Sequence, residues 1–129
     1  MTKIEQLLGD SKAFDEKRFL GACDLVFVAG SHARSYVESD SRKALRMVKP
    51  GGFVFWHAYS GKRRASGVFA ALNALAREIP LVHIGGTSLV AYRRPLAWGW
   101  NALTDFWFTL TLPLARPSPS PSPSGRGSG

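Results

Sequence analysis

Cysteine is almost missing from this chain: Cys23 stands alone among 129 residues. An internal disulfide is therefore excluded, and so is a metal site built on a cysteine pair. Cys23 reads as a small apolar residue near the start of a strand, and a reducing, cytoplasmic setting is expected. Long apolar runs are scarce as well. The longest, near 102–115, is interrupted by Asp105 and by threonines, and it falls short of the roughly 20 residues a membrane-spanning helix needs. No segment has the basic, apolar, small-residue order of a signal peptide, so a soluble protein without a membrane partner is expected.

Acidic residues are also few, 9 against 17 Lys and Arg, which leaves a net charge of +8. A basic surplus favours an anionic partner where the charges gather. Here they are spread over three places: Arg42, Lys43, Arg46 and Lys49; Lys62, Arg63 and Arg64; Arg93 and Arg94. None resembles a nucleic-acid-binding arm, and solvated helix faces and loops account for most of them. No nucleic-acid partner is expected.

What the chain does contain is one domain's worth of core, with 45% hydrophobic residues. The stretch IEQLLGDS at 4–11 reads as either a short strand or a frayed helix turn, ending at the break signal Gly9-Asp10. CDLVFVAG, from Cys23, is a continuous valine-rich run bounded by turn residues. That pattern is typical of a strand buried on both faces of a parallel sheet.

From Ser35 to Val48 the period changes, with Val37, Ala44, Leu45 and Val48 at helical spacing and Glu38, Asp40, Arg42, Lys43 and Arg46 on other faces. Lys49-Pro50-Gly51-Gly52 stops that helix, because proline disfavours helical geometry in the residue before it and glycine releases the turn. FVFWHAY is again strand-like. A strand, a helix and a strand with a crossover this long make a parallel unit.

After the polar turn 60–66, Val68, Leu72, Leu75 and Ile79 mark one face of a second helix that ends at Pro80. LVHI and LVAYRR follow, separated by Gly85-Gly86-Thr87-Ser88, and read as an antiparallel hairpin at the sheet edge. Beyond Pro95 the segment LAWGWNALTDFWFTLTLPLA is aromatic-rich without a clean period. RPSPSPSPSGRGSG, which follows it, is low-complexity. This second piece buries too little apolar area to offset chain entropy, and residues 96–129, aromatic and then Pro/Ser/Gly-rich, are expected to form a disordered tail.

Four ordered stretches then carry a resemblance: LLGDS at 7–11, DLVFVAGSH at 24–32, KPGG at 49–52 and HAY at 57–59. Residues 4–95 look like the C-terminal part of a class I S-adenosylmethionine-dependent methyltransferase. The likeness is to the small bacterial family whose core reads DLVFVDGSH, KPGG and HDY. It implies an α/β, Rossmann-like sheet of strand order 3-2-1-4-5-7-6, of which residues 1–95 would supply strands 3 to 7, ending in an antiparallel hairpin. Strands 1 and 2 would be missing. With them go the glycine-rich loop and the acidic residue that hold a nucleotide cofactor in such sheets; no G-x-G pattern precedes residue 24.

The resemblance implies S-adenosylmethionine as cofactor, with Asp10 and Ser11 at its adenine. A turn aspartate satisfying its own backbone is the equal alternative for Asp10. The family's aspartates at two strand ends are here Ala29 and Ala58, so a divalent-metal site would be dismantled, since magnesium needs oxygen ligands. His32 and His57 remain, either as general bases toward a methyl acceptor or as structural histidines. Trp56 and Tyr59 line an acceptor pocket or, more often for aromatics in strands, pack in the core. His83 is read as structural, away from the other two histidines.

The function implied is methyl transfer to an unknown small-molecule acceptor, inactive in this chain alone. Two other readings stay open: a non-catalytic anion- or RNA-binding module centred on Lys62, Arg63 and Arg64, and a degenerate, truncated gene product. A sheet without its central strands exposes an edge, which invites self-association.

Overall fold

A computed structural model describes residues 3–60 and 66–96. Its elements follow the chain as a short 3-10 turn at Lys17–Phe19, β1 at Cys23–Val28, α1 at Arg34–Met47, β2 at Val48–Trp56, α2 at Gly67–Leu75, β3 at Val82–His83 and β4 at Val90–Arg93. The strands form one mixed sheet of order β1-β2-β4-β3. β1 and β2 are parallel, and β4 runs antiparallel to both β2 and β3. The expected parallel strand-helix-strand unit and the closing hairpin are both present.

The glycines of KPGG belong to β2 itself. Cys23 pairs with Val48, yet Leu25 pairs with Phe53, so the residues between Val48 and Phe53 bulge out of the ladder. Gly51 sits at φ +80°, which only glycine adopts freely. At Gly52 a Cβ would lie 2.7 Å from both the Asp24 carbonyl oxygen and a Val48 methyl. The motif thus lets two strands approach across an irregular start, as well as ending α1.

Both helices lie on one face of the sheet. Val37 and Ala44 of α1 and Val68, Ala71 and Leu72 of α2 close over Val48, Val54, Trp56, Val90 and Tyr92, all buried. Ser66 caps α2 by accepting from the Phe69 amide at 3.2 Å. α2 ends at Leu75, short of the expected Pro80. Its last turns are irregular, although Leu75 and Ile79 still pack on the core.

Two expectations are overturned. Residues 4–8 form neither strand nor helix, so the described sheet has four strands rather than five. A strand there would need a neighbour to pair with, and β1 offers its ladder only to β2 among the described elements. Nor is β1 buried on both faces: Leu25 is 55% and Phe27 52% exposed. Their side of the sheet carries no described helix. Among the described residues, no helix is long and apolar enough to cross a membrane. The expected tail beyond Leu96 and the basic stretch Lys62–Arg64 lie outside the described residues.

Candidate functional site

The parallel pair β1 and β2 ends at the same side of the sheet, and the turns that follow its strands face each other there. The His57 amide donates to the Val28 carbonyl at 3.1 Å, which ties the second turn to the end of β1. Ser31 closes the first turn by accepting from the Ala33 amide at 3.2 Å. One small cavity of about 10 Å³, room for little more than a water, is lined by Ala29, His32, Trp56, His57 and Val68. The structure therefore brings Ala29, His32 and His57 together, with both imidazoles at the exposed rim.

Trp56 forms one wall of that small cavity and is otherwise a core side chain. It is 1% exposed, and its indole N–H donates to the Ser41 hydroxyl at 2.8 Å. Tyr59 is half-buried, stacked on Phe69 at 5.1 Å between ring centroids, and its hydroxyl donates to Asn73 at 3.3 Å. His83 lies nearer the strand ends than expected. Its ring sits 5.1 Å from that of Tyr59, and its Nε2 is 2.8 Å from the Thr87 carbonyl oxygen.

Ala58 is the one described non-glycine residue at positive φ, +67°. The left-handed region costs an alanine about 1–2 kcal/mol, whereas aspartate and asparagine enter it more readily. The turn therefore keeps a backbone suited to a short polar side chain while holding an alanine. Ala58→Gly is expected to raise stability by about 0.5–1 kcal/mol, the relief of strain being offset in part by the freer unfolded chain. A urea midpoint unchanged or lowered would show that the strain is not there.

The second cluster joins the N-terminal segment to α1. Asp10 accepts from the Lys12 amide at 2.9 Å through Oδ1 and from the Tyr36 hydroxyl at 2.9 Å through Oδ2. Lys43 donates to the carbonyls of Ser11, Lys12 and Phe14 at 2.7, 2.8 and 2.7 Å. Beside this clasp, a cleft of about 250 Å³ opens between Ser11, Phe14, Val26, Gly30, Asp40 and Lys43. Its one unsatisfied buried polar atom is Asp40 Oδ1.

Tyr36, Asp40 and Lys43 escaped the sequence reading as site residues, although their spacing of four and then three places them on one stripe of α1. By its sequence position alone Lys43 reads as part of a solvated face.

The Lys12 amide, chiefly, and then the Tyr36 hydroxyl hold the Asp10 carboxyl below its ordinary 3.8, with help from the Lys12 and Lys43 charges. The same hydrogen bond to Asp10, with its charge, raises Tyr36 above 10.0. A depressed carboxyl stabilises the fold above its unfolded value and loses that contribution as pH falls through the folded one. A raised phenol stabilises below its unfolded value and loses it as pH rises through the folded one. The clasp is thus expected intact between about pH 4 and pH 10 and loosened on either side. Tyr36→Phe is expected to move Asp10 part of the way back toward 3.8, because the Lys12 amide remains. An NMR titration in which Asp10 does not move would remove Tyr36 from its environment.

Among the described residues, no three His, Cys, Asp or Glu side chains gather so as to hold a metal ion. Residues 2–59 match the model of a family described as a methyltransferase domain. That span takes in the clasp, β1, α1, β2 and the turn through Tyr59. No curated protein matches the chain.

Proposed function

We propose that this chain carries the acceptor-side portion of an S-adenosylmethionine-dependent methyltransferase-like fold of class I, and that alone it does not transfer methyl groups. The observation that carries the reading is the β1-α1-β2 unit, whose strand ends gather Ala29, His32 and His57 at one cavity inside the span similar to a methyltransferase domain. The order β1-β2-β4-β3, with β4 antiparallel, supports equating these strands with 4, 5, 7 and 6 of the class I sheet.

The described residues fit one edge of the cofactor. Each Asp10 oxygen makes one hydrogen bond and keeps a lone pair for an exocyclic amine. Ser11 lines the apolar-floored cleft beside it. Within the given residues no glycine-rich turn lies before β1, and one acidic side chain, Asp40, lines the same cleft with its Oδ1 unsatisfied. The cofactor would supply an activated methyl group; these residues supply adenine recognition alone. His32 and His57 are the candidate bases toward the acceptor, and positions 29 and 58, being alanine, offer a divalent cation no carboxylate of their own. Among the described elements the outer edge of β1 is unpaired, which supports self-association as a further property of the chain.

Adenosine at millimolar concentration is expected to shift the Asp10 and Ser11 amide resonances selectively, while S-adenosylmethionine binds no tighter than about 100 μM, near 5.5 kcal/mol. Shifts elsewhere, or none, would sink the adenine assignment. Submicromolar binding of the cofactor would instead overturn the inactivity of the isolated chain.

A further inference from the structure

The sheet has a face that the described helices leave uncovered, where Phe53 and Phe55 are half-buried and the Arg93 guanidinium lies 5.7 Å from the Phe53 ring. Leu25, Phe27, Phe53 and Phe55 alternate with the core-facing Val26, Val28, Val54 and Trp56, and the ladder sets Leu25 beside Phe53 and Phe27 beside Phe55. Phe53 and Phe55 stack at 6.0 Å between centroids, while Leu25 and Phe27 are more than half exposed. Both helices occupy the opposite face. A contiguous apolar surface of this kind marks an interaction site.

The chain itself leaves the described structure at the margin of this face. The Arg94 amide donates to the Gly52 carbonyl at 2.9 Å, and the Gly51 amide to the Arg94 carbonyl at 2.8 Å, which anchors the end of β4 to the start of β2. Leu96, 66% exposed, lies over Gly51, where a Cβ would meet its Cδ2 at 2.6 Å. Arg93 pairs with Phe53 in the ladder and its guanidinium lies 5.7 Å from that ring, so the chain leaves β4 beside this face. The next residues, 97–114, contain Trp98, Trp100, Phe106, Trp107 and Phe108, with Asp105 their only charge.

We propose that residues 97–114 dock on the Leu25, Phe27, Phe53 and Phe55 face and form the missing layer of this domain. The segment is long enough, since even fully helical it spans about 25 Å, against about 15 Å across four strands. Tethered at Leu96, it meets the face at an effective concentration in the millimolar range. A second copy must instead overcome the loss of translational and rotational freedom on association. The composition agrees: the face is aromatic and aliphatic, and so is the segment. Residues 116–129, rich in proline, serine and glycine, take no part. The proposal is independent of the chemistry at the strand ends.

Hydroxyl-radical footprinting of the full chain, read by mass spectrometry with light scattering at the same concentration, tests it. Phe27 and Phe55 should be protected in a monomer. Ending the chain after Leu96 should raise their modification at least threefold and leave Phe69 on α2 unchanged. Should the shortened chain aggregate, the full-length variant with Trp98→Ser, Trp100→Ser and Trp107→Ser should show the same rise. Phe27 and Phe55 modified to the same extent in the full chain and in that variant would overturn the proposal. So would protection that appears only with doubled mass, since a second copy would then be the occupant.

Discussion

Trp56→Ala is expected to destabilise the domain by about 3–5 kcal/mol, the cost of emptying a large aromatic site in a packed core. Trp56 is the largest fully buried side chain described, 1% exposed, and it ties the C-terminal end of β2 to α1. The loss is comparable to the whole stability of a small domain, so much of the variant should be unfolded at 25 °C. Part of the effect comes from one hydrogen bond, from the indole to the Ser41 hydroxyl at 2.8 Å. Ser41→Ala leaves the buried N–H without a partner and should cost about 1–3 kcal/mol. Trp56→Phe should then cost less in the Ser41→Ala background than alone. Additive losses in urea denaturation would mean that the two groups do not interact.

Gly67→Ala should lower stability by about 2 kcal/mol, although it improves the helix in isolation. Alanine gains about 1 kcal/mol over glycine in a helix, and Gly67 is the first residue of α2. Against this, its Cβ would lie 2.2 Å from the Arg34 nitrogen and 2.4 Å from the His32 carbonyl oxygen. These are backbone atoms that cannot rotate away. Relief requires α2 to lift or the turn after β1 to move, and overpacking of this kind costs about 1–3 kcal/mol or more. The clash therefore outweighs the propensity. The turn carries His32, so the variant should also shift its imidazole resonances. A stability gain of about 1 kcal/mol by thermal melting would show that α2 does not rest on that turn.

These two sites differ in how far they could be read beforehand. The strand character of FVFWHAY and the helix through Ala44 followed from local periodicity, which operates along a few residues and survives without tertiary knowledge. That Trp56 faces the core followed from strand alternation only once its neighbours were known. Its partner Ser41 gave no signal, because a serine in a helix reads as solvated until an indole is packed on it. Gly67 is similar: nothing local reveals that a glycine at a helix start touches a turn more than thirty residues earlier. The Asp10 clasp lay between these cases. Asp10 was singled out, while Tyr36 and Lys43 needed α1 to be set against the N-terminal segment.

Local pattern alone determined the β-α-β unit, the hairpin and a helix stop at Lys49–Gly52, while the candidate residues at the strand ends came from the family resemblance. The first three are properties of side-chain period or backbone freedom over short range. Only the tertiary structure decided that residues 4–8 make no strand, that no described helix covers one face of β1, that Trp56 is core, and that His32 and His57 share one cavity. Those outcomes depend on which neighbours are present to complete a ladder or cover a face. A valine-rich run reads the same whether its second face is covered or open, because the run records the strand and not its partner.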